Sequence, residues 1–207
     1  PLKKLIDAVK ARSNLDIDPN QIYITGLSAG GGMTLAMGCA LPDVFAGVGP
    51  NAAPAFGASA YDISVAPKIT PQQVANYCKA ANGNNYNSHF QTQIYAGVWG
   101  NKDTLVLPAH NDINAQAFAL LYNTPYSNPL QRSVAGGGAV KEYGPNGAKT
   151  VYTMLVSGMG HAWPAGTDAP KKNVAYVDST RANYPVDVTK WFFENNRRVV
   201  SLPPPAN

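Results

Sequence analysis

Charge is scarce in this chain: Asp, Glu, Lys and Arg make up 14% of its 207 residues, against roughly 25% in ordinary soluble domains. The net charge of +4 comes from scattered cations. Its clusters, Lys3-Lys4, Lys171-Lys172 and Arg197-Arg198, are only pairs, which argues against a nucleic-acid-binding stripe and fits solvated faces. No stretch approaches the ~20 apolar residues of a membrane-spanning helix. The two cysteines, Cys39 and Cys78, and the three histidines, His89, His110 and His161, form no CxxC pair and lack ligand spacing. No metal and no cofactor is expected from them. The cysteines are either one disulfide, which an exported protein tolerates, or two buried thiols. Internal repeats and low-complexity linkers are also missing.

What is plentiful is glycine and proline, 19 and 17 residues, together with Asn and Tyr. This suits a loop-rich protein that is secreted or periplasmic. The length supports one sizeable core, read as a single domain over 1–207 with an irregular insertion at 50–90 and a proline-rich tail at 201–207. The chain opens at Pro1 without a methionine or signal peptide and enters a helical pattern at once, as a processed or incomplete chain would.

Leu2, Leu5, Ile6 and Val9 recur at helical spacing, so residues 1–12 read as an amphipathic helix. The stretch 21–25 carries Ile22, Tyr23 and Ile24 and suits a strand buried on both faces. Residues 33–41 read as a small-residue helix stopped by Pro42, and 44–48 as a second buried strand. Thr70 caps a helix starting at Pro71. A third strand is expected over 93–99, a helix over 108–122, and strands over 139–143 and 150–156 around the turn Gly144-Pro145-Asn146-Gly147. A last helix begins near Pro185. Strands alternating with helices predict an α/β fold, a mostly parallel sheet flanked by helices, with function at the carboxyl ends of the strands.

Between the first strand and its helix stands Gly26-Leu27-Ser28-Ala29-Gly30, which fits G-x-S-x-G. In that pattern a serine sits at the strained apex of a strand-to-helix turn, and glycines at Gly26 and Gly30 are expected to prevent collisions as strand and helix close. The other reading is a glycine-rich connection whose serine merely caps a helix.

Ser28, Asp103 and His161 each follow a predicted strand, so all three emerge at one sheet edge, in the order nucleophile, acid, histidine of α/β-hydrolases. A serine hydroxyl is a weak nucleophile until an imidazole takes its proton, and the imidazole needs a carboxylate to fix its tautomer. Asp112 and Asp168 are lesser candidates for the acid, and Asp43 falls at the far edge. His89 precedes a strand and His110 lies within a helix, so both read as surface or packing histidines.

The set Gly26-Leu27-Ser28-Ala29-Gly30-Gly31 with Met33-Thr34, Pro42-Asp43-Val44-Phe45-Ala46, Gly100-Asn101-Lys102-Asp103-Thr104 with Val106, and Gly158-Met159-Gly160-His161-Ala162-Trp163-Pro164 resembles the extracellular polyhydroxybutyrate (PHB) depolymerases and related feruloyl and acetylxylan esterases. The resemblance covers most of residues 1–200. It implies an α/β-hydrolase fold, Ser28 as nucleophile, Asp103 as acid, His161 as base, and Trp163 lining the acyl or polymer subsite. Trp163 is otherwise as good a core residue. Where relatives often carry His-Gly, this chain has Trp99-Gly100, and Trp99 is taken as a second substrate-binding residue.

Such hydrolases place about four strands before the nucleophile strand. None is found here, and the residues after His161 hold one clear helix. Truncation, proteolytic processing or a companion N-terminal fragment is therefore expected, and with it instability of the chain alone. The Ala29 amide supplies one oxyanion donor, and the second has no candidate. The expected substrate is a short-chain hydroxyalkanoate polyester or its oligomers. The rivals are a feruloyl or acetylxylan esterase, a prolyl-oligopeptidase-type peptidase, disfavoured by the lack of an acidic pair for a peptide amino terminus, and a non-catalytic binding protein on the same scaffold.

Overall fold

The computed structural model describes residues 1–167 and 174–199. Asp168, the Lys171-Lys172 pair and the proline-rich tail at 201–207 lie outside the described residues. The chain runs α1 (Leu2–Lys10), β1 (Tyr23–Leu27), α2 (Ala29–Ala40), β2 (Gly47–Asn51), α3 (Pro71–Ala81), β3 (Ile94–Gly100) and α4 (Pro108–Leu121). It continues with β4 (Leu130–Val134), β5 (Gly138–Tyr143), β6 (Val151–Val156), the short strands β7 (Trp163–Pro164) and β8 (Val177–Asp178), and α5 (Tyr184–Asn195).

Six strands form one sheet in the order β1-β2-β3-β6-β5-β4. The first four are parallel, and β5 and β4 complete the sheet antiparallel. Strand alternation divides the core. Tyr95 of β3, with Val48 and Val151, faces Leu35 of α2, Val74 of α3 and Phe118 of α4. Ile94, Ala96 and Val98 face the other way, onto Tyr184, Val188, Trp191 and Phe192 of α5. This is the α/β-hydrolase architecture that the sequence implied.

Several boundaries differ from the sequence reading. Helix α2 starts at Ala29, four residues before the expected Met33, because the glycines form its first turn directly after Ser28. Strand β2 is Gly47–Asn51; Val44 and Phe45 instead bond back to Leu41 O in a turn. Strand β1 is only half-buried, with Thr25 exposed, since it pairs with β2 alone among the described residues. Strand β4 gives little sequence signal because Leu130, Gln131 and Ser133 are exposed. What anchors it is polar: Arg132 donates to both carboxylate oxygens of Asp187 on α5, at 2.9 and 2.8 Å, and Tyr152 donates to the same carboxylate at 2.6 Å.

The 50–90 region carries more order than its composition suggests. Thr70 Oγ1 accepts from Gln73 N and Gln73 returns the bond to Thr70 N, a capping box opening α3. A Cys39–Cys78 disulfide ties α3 to α2. From the other side α4 holds the segment 53–65 with three buried side chains. Asn111 Oδ1 accepts from Ala53 N, Asn114 Oδ1 accepts from Phe56 N, and His110 Nδ1 accepts from Ala55 N. His110 Nε2 then donates toward Val65 O at 3.0 Å and Asp62 O at 3.2 Å. With one nitrogen accepting and the other donating, His110 is neutral and structural.

Candidate active site

Ser28 sits at the β1–α2 turn with φ 59° and ψ −118°, a strained region for a residue with a side chain. Neighbouring backbone holds it there. Its N–H donates to Asn51 O at 2.8 Å, continuing the ladder past β1, while its carbonyl accepts from Gly32 N at 2.9 Å and opens α2. A Cβ on Gly26 would fall 2.4 Å from Gly30 O, and one on Gly31 would fall 2.8 Å from Asn51 O. Gly30 corrects the sequence reading: a Cβ there meets nothing within 4 Å, because it points away from the sheet. The glycine that permits the close approach on the helix side is Gly31.

Opposite signs of effect follow. Gly26→Ala is expected to cost about 2–3 kcal/mol in a urea titration, since backbone must move. Gly30→Ala is expected to gain about 0.5–1 kcal/mol, because alanine in an open helical position is less costly to order than glycine.

Asp103 and His161 stand on two loops zipped together. Lys102 N donates to Met159 O at 2.9 Å, and Gly158 N donates to the Asn101 side-chain oxygen at 2.7 Å. Gly100 is needed for this closeness, since a Cβ there would lie 2.1 Å from Met159 O. The Asp103 side chain is fully buried. Its Oδ1 accepts from Leu105 N and Val106 N at 2.9 and 3.0 Å, and its Oδ2 accepts from His161 Nδ1 at 2.8 Å. Two backbone N–H groups fix the carboxyl group so that its second oxygen faces Nδ1. The tautomer with its proton on Nδ1 donates to that oxygen and leaves Nε2 as the acceptor.

Ser28 and His161 line one cavity of about 510 Å³, a volume suited to a small ligand or a chain segment. Leu27, Ile63, Leu105 and Val106 give it apolar walls, and Ser64 a hydroxyl. Ala29, exposed, is the first residue of α2. Its N–H is among the four that a helix leaves without an internal partner, at the positive end of the dipole.

Sequence reasoning missed Tyr176. Its ring meets the His161 ring edge-on at 5.9 Å, it lines the same cavity, and it is held at φ 63°. The non-glycine positive φ is visible only in three dimensions, and the surrounding sequence carries no motif.

Two expected substrate-binding residues lie elsewhere. Trp163 N–H donates to Tyr176 O in the β7–β8 pairing, which turns the indole onto Tyr184, with ring centres 5.4 Å apart. It lines a groove with Val188 and Phe192 instead of the Ser28 cavity. Trp99, on the α4 side of β3 by strand alternation, is nearly buried and lines a different cavity. The competing carboxylate Asp112 belongs to that second cavity as well. Asp43 lies at the other end of α2, and His89 lies in the short helical turn before β3, tilted against Tyr86. No cluster of three metal-ligating side chains occurs among the described residues.

Comparison with known proteins agrees with this architecture. Residues 2–121 match the prolyl oligopeptidase family. A poly(3-hydroxybutyrate) depolymerase from Ralstonia pickettii is 42% identical over 202 residues, covering 97% of this chain and 41% of that protein. A poly(3-hydroxyalkanoate) depolymerase C from Paucimonas lemoignei is 32% identical over 175 residues, covering 81% of this chain and 41% of that protein. The chain thus spans about two-fifths of the length of each relative. An acetyl xylan esterase from Aspergillus awamori shares the fold at 16% identity, with a TM-score of 0.66 over 92% of this chain and 66% of its own. The chain belongs to the prolyl oligopeptidase family, with an α/β-hydrolase fold and polyhydroxyalkanoate depolymerases among its relatives.

Proposed function

We propose that this chain is the serine-bearing part of a secreted or periplasmic ester hydrolase acting on short-chain polyhydroxyalkanoates or their oligomers. The single observation that carries the reading is the Asp103–His161 bond of 2.8 Å beside a cavity that also holds Ser28. Ser28 Oγ attacks the ester carbonyl, and His161 Nε2 takes its proton and returns it to the leaving alcohol. A water then attacks the acyl-enzyme by the same route in reverse. Asp103 holds the imidazole and offsets its transient positive charge. The Ala29 N–H faces the oxyanion at the start of α2.

The two depolymerase relatives support the polyester, and the apolar walls Leu27, Ile63, Leu105 and Val106 suit its methyl-branched backbone. The disulfide supports an oxidising compartment, and no helix among the described residues is long and apolar enough to cross a membrane. The outer edge of β1 offers a companion segment a place to extend the sheet.

Treating the protein with a fluorophosphonate and mapping the adduct tests the nucleophile; an unlabelled Ser28 overturns it. Measuring release from PHB granules against feruloylated xylan tests the substrate, and faster release from xylan overturns the polyester.

Tyr176 is expected to act on specificity. Tyr176→Ala removes an aromatic wall and should lower kcat/KM on oligomers about tenfold or more, while Tyr176→Phe keeps the edge-on ring and should match the parent. Equal losses in both variants would mean that the hydroxyl matters and the ring does not.

A further inference from the structure

Trp99 opens onto a second cavity, of about 370 Å³, whose chemistry the reaction above does not use. Across the ladders Trp99 pairs with Leu155, Gly97 with Thr153, and Thr153 with Lys141. All of these therefore project toward the sheet face that carries α4. Trp99, Leu155, Tyr126 and Tyr143 make an apolar lining. At Gly97 a Cβ would fall 2.6 Å from the Tyr95 hydroxyl. That hydroxyl is buried and has no hydrogen-bond partner among the described residues.

Two opposite charges line the same cavity, Asp112 from α4 and Lys141 from β5. Neither belongs to an ion pair among the described residues. Partial burial pushes the Asp112 carboxyl above its ordinary range, and Lys141 pulls it back down. Both side chains are exposed at the cavity mouth, where each can take a partner from solution. The cavity thus sets a cation and a carboxylate around an aliphatic and aromatic floor.

We propose that this cavity binds a short-chain hydroxy acid, its carboxylate on Lys141 Nζ, its alkyl body against Leu155 and the edge of Trp99, and its hydroxyl donating to the Asp112 carboxylate. A sugar ring fits less well. Tyr126 and Tyr143 stack on each other at 4.1 Å and Trp99 is 4% exposed, so no open aromatic plate remains. Asn101 lines the cavity while its side chain holds Gly158, in the loop that leads to His161. The ligand is of the class that polyester cleavage releases, so its identity rests on the proposed reaction, whereas the site rests on its own charges.

The test is a binding titration of the Ser28→Ala protein with the linear dimer acid of 3-hydroxybutyrate, followed by tryptophan fluorescence. The expected result is a saturable response that disappears in a Trp99→Phe background. Lys141→Met, and separately the methyl ester of the dimer, should each weaken binding about tenfold or more by removing one charge-assisted contact. Asp112→Asn serves as a second probe of the hydroxyl end, compared with butyrate, which has no hydroxyl to lose. A response without saturation, affinity unchanged in Lys141→Met, or tighter binding of a xylo-oligosaccharide would overturn the site. Turnover by the parent protein is read separately: binding without ester cleavage sinks the reaction and keeps the site, and cleavage without binding does the reverse.

Discussion

Replacing Ser28 by alanine is expected to lower kcat for ester hydrolysis by at least about 10⁴-fold. The cavity contains a second hydroxyl, Ser64, but it lies on the wall held by α4, without the strand-to-helix turn that presents Ser28. What should survive is the small background from binding and from the α2 N-terminus. Stability should move differently. The φ of 59° and ψ of −118° store roughly 1–3 kcal/mol; alanine keeps that strain and glycine relieves it. Ser28→Ala should therefore unfold near the parent's midpoint, and Ser28→Gly should be equally inactive yet about 1 kcal/mol more stable. Initial rates and urea midpoints on the three proteins check both halves. Activity in Ser28→Ala within tenfold of the parent would remove the nucleophile from the reading.

Legibility in the sequence followed the strength of local constraints. The elbow was readable because Gly26 and Ser28 answer a backbone demand that few residue types meet, and the capping box at Thr70 was readable because its partners are three residues apart. Gly30 was misread, since a pattern names its glycines without saying which way each Cβ points. Strand β4 was invisible because its anchor is Arg132 on Asp187, 55 residues away. The role of His110 was hidden for the same reason: its partners, Ala55 and Val65, meet it only after the chain has returned. That Asp103 and His161 meet at one sheet edge was legible from strand-end logic, which depends on topology alone. Trp99 and Trp163 line other cavities than that of Ser28, because nearness in sequence to Asp103 or His161 says nothing about the face a side chain takes. Tyr176 faces the cavity through a positive φ that no residue preference announces.

Asp103→Asn separates orientation from packing, and its expected effect is a fall in kcat of about 10⁴-fold with little change in stability. The reason lies in which oxygen does what. Oδ1 is committed to the Leu105 and Val106 amides, and Oδ2 to His161 Nδ1. In the variant the single carbonyl oxygen must stay on the two amides, because leaving them unpaired in a buried site costs roughly 1–3 kcal/mol each. The NH₂ then faces Nδ1, and two donors cannot share that line. The imidazole proton moves to Nε2, where Ser28 needs an acceptor, so the base is lost although every atom is near its place. Asp103→Ala should lose the activity and the stability together, since both amides are then orphaned. The paired comparison therefore needs kcat, a urea midpoint and the imidazole nitrogen shifts of His161. Asn at this position with more than about a tenth of parental kcat, or with Nδ1 still protonated, would mean that the Asp103–His161 contact is structural.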